Sequence, residues 1–572
     1  MKKRSYRNPV GVGKYTGLML ILPFIIGFAA FTLYPFAASF VLGLTDSDGI
    51  HSPEFVGADN FTDMLAGSEF RGAVWTTLKY TLILVPLKLA VSLLAAVLLN
   101  AEIKGMGVYR TIFYVPSILG SNLAIVIMWQ FLFTSDGLAD QIMSLVGLPA
   151  IGWYGGSGSA MAIIVLLRLW EFGSAMILFL NALRDIPAEY YDAAKVDGCG
   201  RIRAFFRITL PLLGRVMFLN LVLQTIAAMQ EFSAPYMITG GGPMKSTYTI
   251  GMLIYDEMFR FHNVGYANAV SWAFFVLVTA IVLGLFALTR RKRGGGRMKK
   301  LPLYILLTAA AAVMIYPLLW LVGASFKSNE EIFSSAWFVP DSIDLSVYAR
   351  AWRTVTPHTM GHYFVNTFLI IVPKTVFAVV SSVLVAYGFA RFDFPLKRLF
   401  FALLICSMFM PAIVTVTPLY MMWSRLGLHD TYVPLTLPAL FAAEGTFVFM
   451  LVQFFRGVPR EFDEAARIDG CGSLRLLVYI LVPCIRPVIV SITVFTFLWT
   501  MNDFLTPLIM ISSVDKYPLS LILRLSADST GDGYEQRKVI AMSVIGLIPS
   551  AAVFAAAQKK FIGGITAGGL SG

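Results

Sequence analysis

Charge is scarce in this 572-residue sequence: only 14% of the residues are charged, whereas 57% are hydrophobic. With a mean hydropathy of +0.74, that composition excludes an ordinary soluble enzyme and indicates a polytopic membrane protein. Cysteine is nearly absent. Cys199 and Cys471 fall in polar loops, and Cys406 and Cys484 in or beside apolar runs, so four free thiols are expected rather than a disulfide framework. The five histidines are scattered. His358 and His362 have metal-compatible spacing, but with Gly361 between them and no third ligand nearby they read as an ordinary exposed pair. H-E-x-x-H and G-x-S-x-G are both missing. Gly11-Val12-Gly13-Lys14-Tyr15 lacks the spacing and preceding strand of a phosphate loop. No catalytic residue, metal or cofactor is therefore expected. The first apolar run is too long for a signal-peptide core.

What the chain does have is long apolar runs. A spanning helix needs about 20 mainly apolar residues, and twelve candidates meet this: roughly 18–44, 77–99, 110–133, 160–181, 209–231, 267–289, 302–324, 364–388, 398–422, 433–455, 478–510 and 540–558. The fold class is all-α, because backbone in lipid must satisfy its own hydrogen bonds. Val478–Met510 is too long for one simple span, and Pro483, Pro487 and Pro507 should break or kink it. Lys2, Lys3, Arg4, Arg7 and Lys14 place the N-terminus inside, and the acidic stretch from Asp46 to Glu69 places the next loop outside. Counting onward puts Arg184–Arg207, Arg290–Lys300, Arg456–Arg475 and both termini in the cytoplasm. Those inside loops account for the net charge of +12 without a nucleic-acid partner.

One polar segment occurs twice. Arg184–Gly200 pairs without gaps with Arg456–Gly472, 272 residues later, with nine of 17 positions identical and five more conservatively exchanged. Arg290-Arg291-Lys292-Arg293-Gly294-Gly295-Gly296-Arg297 ends the first apolar block, and Met298-Lys299-Lys300 restarts as Met1-Lys2-Lys3 does. The expected organisation is a first six-span half (1–293), a basic Gly-rich linker (294–300) and a second six-span half (301–572), related as parallel repeats.

The repeated loop reads as a short helix, a tight turn and a second helix. Pro187 and Pro459 suit a first helical turn, and Glu189, Asp192, Glu461 and Glu464 bring negative charge to that positive end. Ala193-Ala194 and Ala465-Ala466 give a small face for close approach, and Gly198 and Gly470 permit a left-handed stop. Asp197 and Asp469 would oppose the helix dipole, so each is expected to cap the following helix or to pair with an arginine. Within the spans, Arg168 and Glu171 lie three apart and can pair, with Glu444 near the matching place. Lys88 and Lys374 each follow a Val-Pro step. Gln230-Glu231 and Asn502-Asp503 share the 272 offset. Gln224, Gln230, Glu231, Asn502, Asp503, Trp170, Glu171 and Trp499 are candidate pathway residues, since charge inside a membrane usually faces the bundle interior; Trp129 could also stack on a sugar.

The pattern D/E-A-A-x-x-D-G with a proline 13 residues after the glycine (Pro211, Pro483) resembles the coupling loop of ABC importer membrane subunits of the carbohydrate-uptake group, maltose-like and glycerol-phosphate-like. The first half resembles the larger subunit, through Tyr109–Pro116 and Gly240-Gly241-Gly242-Pro243. The second resembles its partner, through Pro418-Leu419-Tyr420, Leu426-Gly427-Leu428, Gln453–Arg456 and Trp499–Phe504. Asp192 stands where such proteins usually carry glutamate. The resemblance implies a type I importer permease in a bacterial cytoplasmic membrane. It would dock two ATP-binding subunits, a homodimer, at Glu189–Gly198 and Glu461–Gly470. An external solute-binding protein would deliver a sugar, oligosaccharide or polyol phosphate, and the chain itself would carry no ATPase site. An ion-coupled secondary transporter is the alternative, but it would not need the duplicated loop.

Overall fold

The computed structural model describes residues 15–100, 106–120, 123–135, 137–145, 147–187, 189–196, 199–288, 301–334, 337–341, 343–353, 358–408, 410–528 and 536–567. Gly11–Lys14, Asp197, Gly198 and the 294–300 linker lie outside these residues. The described residues are overwhelmingly helical, with a single isolated β-bridge, Thr45 with Phe55. Each of the twelve expected spans has a helical counterpart. Six stretches are long and apolar enough to cross a membrane without a bend above 40°: Leu22–Gly43, Ser68–Leu99, Val264–Leu285, Met360–Arg391, Val433–Gly457 (interrupted at 441–444) and Gln536–Ala557. Four more qualify as pairs bent by more than 40°, and Gly214–Met229 and Ala311–Ala324 are shorter apolar helices.

Two of the bends have an identifiable setting. Ser157–Trp170 and Gly173–Arg184 meet at 42°, where a Cβ on Gly173 would lie 2.6 Å from the Phe113 carbonyl oxygen. Ser473–Cys484 and Arg486–Asn502 meet at 81°. Pro483 and Pro487 each occupy the first turn of the segment they begin, where a missing N–H costs nothing. The long run from Val478 is thus broken at Pro483 and Pro487 as expected, whereas Pro507 lies inside the helix Leu505–Met510, after a second break at 503–504.

The chain forms two compact units that do not follow its two halves in sequence. One joins the residues up to Val41 to Gly361–Leu521 and the segment from Pro549; the other holds Leu42–Met360 with Ile522–Ile548. In the former, Phe24 meets Phe389 edge-on at 6.1 Å and Phe31 stacks on Trp423 at 5.6 Å. Gly27 lies against Phe441 so closely that any side chain would collide with its backbone. In the latter, Ala311 is buried with Leu99, Phe172, Met176 and Leu213. Each unit therefore completes its apolar core with the first helix of the other half. Burying a side chain such as Phe24 contributes about 1.5–3 kcal/mol against water, but lipid is as apolar as a core, so close packing rather than hydrophobicity holds these helices.

Candidate functional site

The two copies of the repeated segment fold alike. Glu189–Val196 and Glu461–Ile468 are eight-residue helices, called here the first and second repeat helices. After each, the cysteine N–H reaches back to the second alanine: Cys199 to Ala194 and Cys471 to Ala466, both at 2.8 Å. Gly200 and Gly472, in extended conformation, then start the next helices. Gly470 has φ +74° with open space around its Cβ position, so only its backbone conformation calls for glycine. Such a left-handed residue after the last helical turn, with a backward bond, is the expected stop.

Several expectations need correction. Pro187 and Pro459 sit two residues ahead of the helices; Pro187 accepts a bond from Tyr190 N–H at 3.4 Å, and Arg460, not Pro459, receives those of Asp463 and Glu464. Asp469 neither caps nor pairs among the described residues: Gly472 is the cap, without a side-chain bond. The alanine pairs do not form a flat outer face, because Ala194 and Ala466 are buried while Ala193 and Ala465 are exposed. What each helix presents outward is an apolar strip at i, i+3 and i+6. Tyr190, Ala193 and Val196 form it in one copy, Phe462, Ala465 and Ile468 in the other, and Val196 and Ile468 are each 88% exposed. Glu189, Asp192, Glu461 and Glu464 are exposed beside these strips. Tyr190/Phe462 and Val196/Ile468 were visible as conservative exchanges, yet alternation of apolar and charged residues hid which face they shared.

The inward anchors differ. Tyr191 shares a hydroxyl–hydroxyl bond of 2.9 Å with Thr209. Its counterpart Asp463 instead forms a buried ion pair with Arg391 at 3.2 Å, and the same guanidinium donates to the Val458 carbonyl at 2.9 Å.

Among the pathway candidates, Glu171 and Glu231 converge on Arg168. Its Nη1 donates to Glu171 at 2.7 Å, while Nε and Nη2 donate to the two oxygens of Glu231 at 2.6 and 2.9 Å. All three side chains are nearly buried. The Arg168–Glu171 pair was legible from spacing; Glu231, 63 residues away, was not. Trp170 packs on Trp129 at 5.7 Å and donates to the Met314 carbonyl at 3.3 Å. Lys88 is buried, Gln224 and Gln230 are half-buried, and Lys374 and Glu444 are half-buried without joining such a network. In the other unit Trp499 lies face-on to Phe447 at 5.2 Å, and Asn502 and Asp503 are half-buried.

The ends of the two fifth spans are built alike around these positions. Glu231 accepts the Ala234 N–H at 3.0 Å and Asp503 the Thr506 N–H at 3.1 Å. The Glu231 carbonyl takes a bond from Thr249 and the Asp503 carbonyl one from Ser520. Asp503, however, has no ion-pair partner among the described residues. Of the histidines, His362 bonds to the Asp515 carbonyl at 2.6 Å, and no cluster of three metal-capable side chains occurs among the described residues.

Comparison with known proteins matches this chain twice to one family, described as binding-protein-dependent transport system inner membrane component, at residues 93–293 and 378–561. Similar curated proteins each align with about half of it. The probable ABC transporter permease YesP of Bacillus subtilis is 41% identical over 50% of this chain and 92% of its own length. The sulfoquinovosyl glycerol permease SmoG of Agrobacterium fabrum is 36% identical over 46% and 88%. The trehalose/maltose permease MalF of Thermococcus litoralis is 32% identical over 48% and 94%. A chain of a bacterial ABC transporter that imports the acidic polysaccharide alginate aligns with 45% of this chain and 94% of its own, at 23% identity and a TM-score of 0.40.

Proposed function

The chain belongs to the binding-protein-dependent transport inner membrane component family, as a multi-pass ABC importer permease, and we propose that it supplies both halves of the membrane core of a carbohydrate importer. Its halves, 1–293 and 301–572, act as the two permease subunits that relatives supply as separate chains, joined at 294–300. Both termini and both repeat helices face the cytoplasm, as the basic loops direct.

The observation that carries the proposal is the outward identity of the two repeat helices. Each exposes the same apolar strip beside the same acidic first turn. An apolar strip kept exposed twice over needs a partner, since such surfaces mark contacts. Two ATPase subunits, one per helix, supply two equivalent clefts. Each helix inserts Val196 or Ile468 as its apolar anchor, and the flanking carboxylates orient it. Closure of the ATPase dimer then moves both helices together, and the broken spans attached to them transmit that motion. A solute-binding protein on the outer side delivers the cargo. Carbohydrate, as sugar, oligosaccharide or polyol phosphate, is favoured by the named substrates of SmoG and MalF. Gln224, Gln230, Asn502 and Trp499 are the pathway groups best able to bond hydroxyls or stack on a ring. Hydrolysis belongs to the partner subunits.

The test is reconstitution with the ATPase subunit from the same source. Wild type should bind it and show hydrolysis stimulated by the loaded binding protein. Val196→Glu with Ile468→Glu, both on open surface, should fold normally and lose both properties. Uptake driven by a proton or sodium gradient without any ATPase would overturn the proposal.

A further inference from the structure

Beside the second repeat helix lies an open cavity of about 750 Å³, lined by Phe389, Ala390, Arg391, Asp393, Lys397, Arg456 and Val458–Glu461. Three helix ends meet there: Met360–Arg391 finishes, the helix from Lys397 begins, and Gly445–Gly457 finishes. Four cations face two carboxylates. The Lys397 ammonium is fixed at 2.6 Å from the Phe392 carbonyl and 3.2 Å from Asp393. Arg456 lies over the Phe401 ring at 5.3 Å, and Arg391 is already engaged by Asp463. Arg456 and Arg460 are exposed at the mouth. Immediately beside Lys397, Leu396 and Leu399 are 64% and 50% exposed, a greasy rim on a basic cup.

We propose that this cavity binds the phosphate of an anionic phospholipid headgroup, held by Lys397, Arg456 and Arg460, with Leu396 and Leu399 against its acyl chains. The inference rests on the cytoplasmic placement of the second repeat helix. Ends of spans lie at headgroup depth, and basic pockets between helices on that face suit anionic lipid heads. The apolar rim favours a lipid over a free phosphate. The cup differs in the first half, where alanine occupies position 188 in place of Arg460. A lipid bound there would bridge the third and fourth spans of the second half to one repeat helix, so membrane charge would tune coupling at that helix.

The experiment uses the full chain in nanodiscs of phosphatidylcholine with or without phosphatidylglycerol, and native mass spectrometry of what it retains in detergent. Wild type should keep phosphatidylglycerol selectively. Arg456→Gln with Arg460→Gln should weaken retention about thirtyfold, roughly fivefold per cation, while Arg184→Gln, its match in the first half, changes nothing. Equal retention by wild type and the double variant would overturn the proposal. So would inorganic phosphate displacing the lipid completely, because then the acyl rim contributes nothing. Loss of ATPase binding with lipid retention intact would reassign the cup to a protein contact. The Val196→Glu and Ile468→Glu pair tests the docking reading separately, so either can fail alone.

Discussion

The two halves of this chain share a backbone plan and differ in where they place buried charge. In the first half the ion network sits at the end of the fifth span, with Arg168 between Glu171 and Glu231, and the repeat helix is anchored by the neutral Tyr191–Thr209 contact. In the second half the arrangement reverses: Asp503 has the same turn as Glu231 but no arginine partner among the described residues, and the repeat helix is anchored by Arg391–Asp463. Outward, the repeat helices differ only by conservative exchanges. On the proposed docking, the outward face is matched because it would meet two copies of one partner, whereas the inward face answers only to its own unit. The sequence repeat carries this distinction. Its three positions without a conservative match are 185/457, 188/460 and 191/463, spaced by three. The last holds Tyr191 in one copy and Asp463 in the other.

The largest expected effect comes from breaking the first network. Arg168→Met leaves two buried carboxylates facing each other and should cost about 3–5 kcal/mol, read as a fall in thermal unfolding temperature in detergent. Adding Glu171→Gln and Glu231→Gln should recover most of it, whereas Asp503→Asn in the other half should change little. Next, Asp463→Asn keeps the shape but removes the charge facing Arg391, and about 2 kcal/mol should be lost. Tyr191→Phe, the matching change in the other copy, should cost about 1 kcal/mol. If the two variants proved equal in the same melts, the anchors would not differ in kind.

A smaller difference sharpens the comparison by pH. In the second half, Asp430 accepts the N–H groups of Ser512 and Ser513, the Ser513 hydroxyl and the Lys516 ammonium. Burial pushes this carboxyl up, but bonds from Lys516, Ser513 and Ser512 outweigh it and hold it well below the usual carboxylate range. A depressed carboxyl contributes fully above its unfolded pKa, near 4, and its contribution fades as pH falls through the folded value. Because Lys516 is half exposed, solvent screening limits the effect to under about 1 kcal/mol. Glycine stands at the matching position, 158, of the first half. Amide-exchange protection of the 512–516 loop should therefore drop with acid in wild type and be acid-independent in Asp430→Asn.

Much of this was legible in the sequence because it is local. Twelve apolar runs, the break at Pro483 and Pro487, the Arg168–Glu171 pairing and the duplicated loop all follow from spacing within a few residues. The rest depends on long-range closure. Nothing near Glu231 points to Arg168, and nothing near Asp463 points to Arg391. The exchange of first helices was equally hidden, since Phe24 and Phe389 look like lipid-facing aromatics until the packing brings them together. The burial of Ala194 and Ala466, with Val196 and Ile468 left outside, inverts what size and polarity suggest. It follows from the helix phase: Tyr191 and Asp463 are anchored inward, and Ala194 and Ala466, three residues on, share that face.

The most direct test of the central claim, that the two repeat helices are outwardly equivalent, uses one substitution at a time. ATPase stimulation by the loaded binding protein would be measured for Val196→Glu alone and Ile468→Glu alone in the same reconstituted membranes. The account predicts the same loss from either, because each removes one of two equal docking contacts from a concerted cycle. Full activity in one variant and none in the other would contradict it.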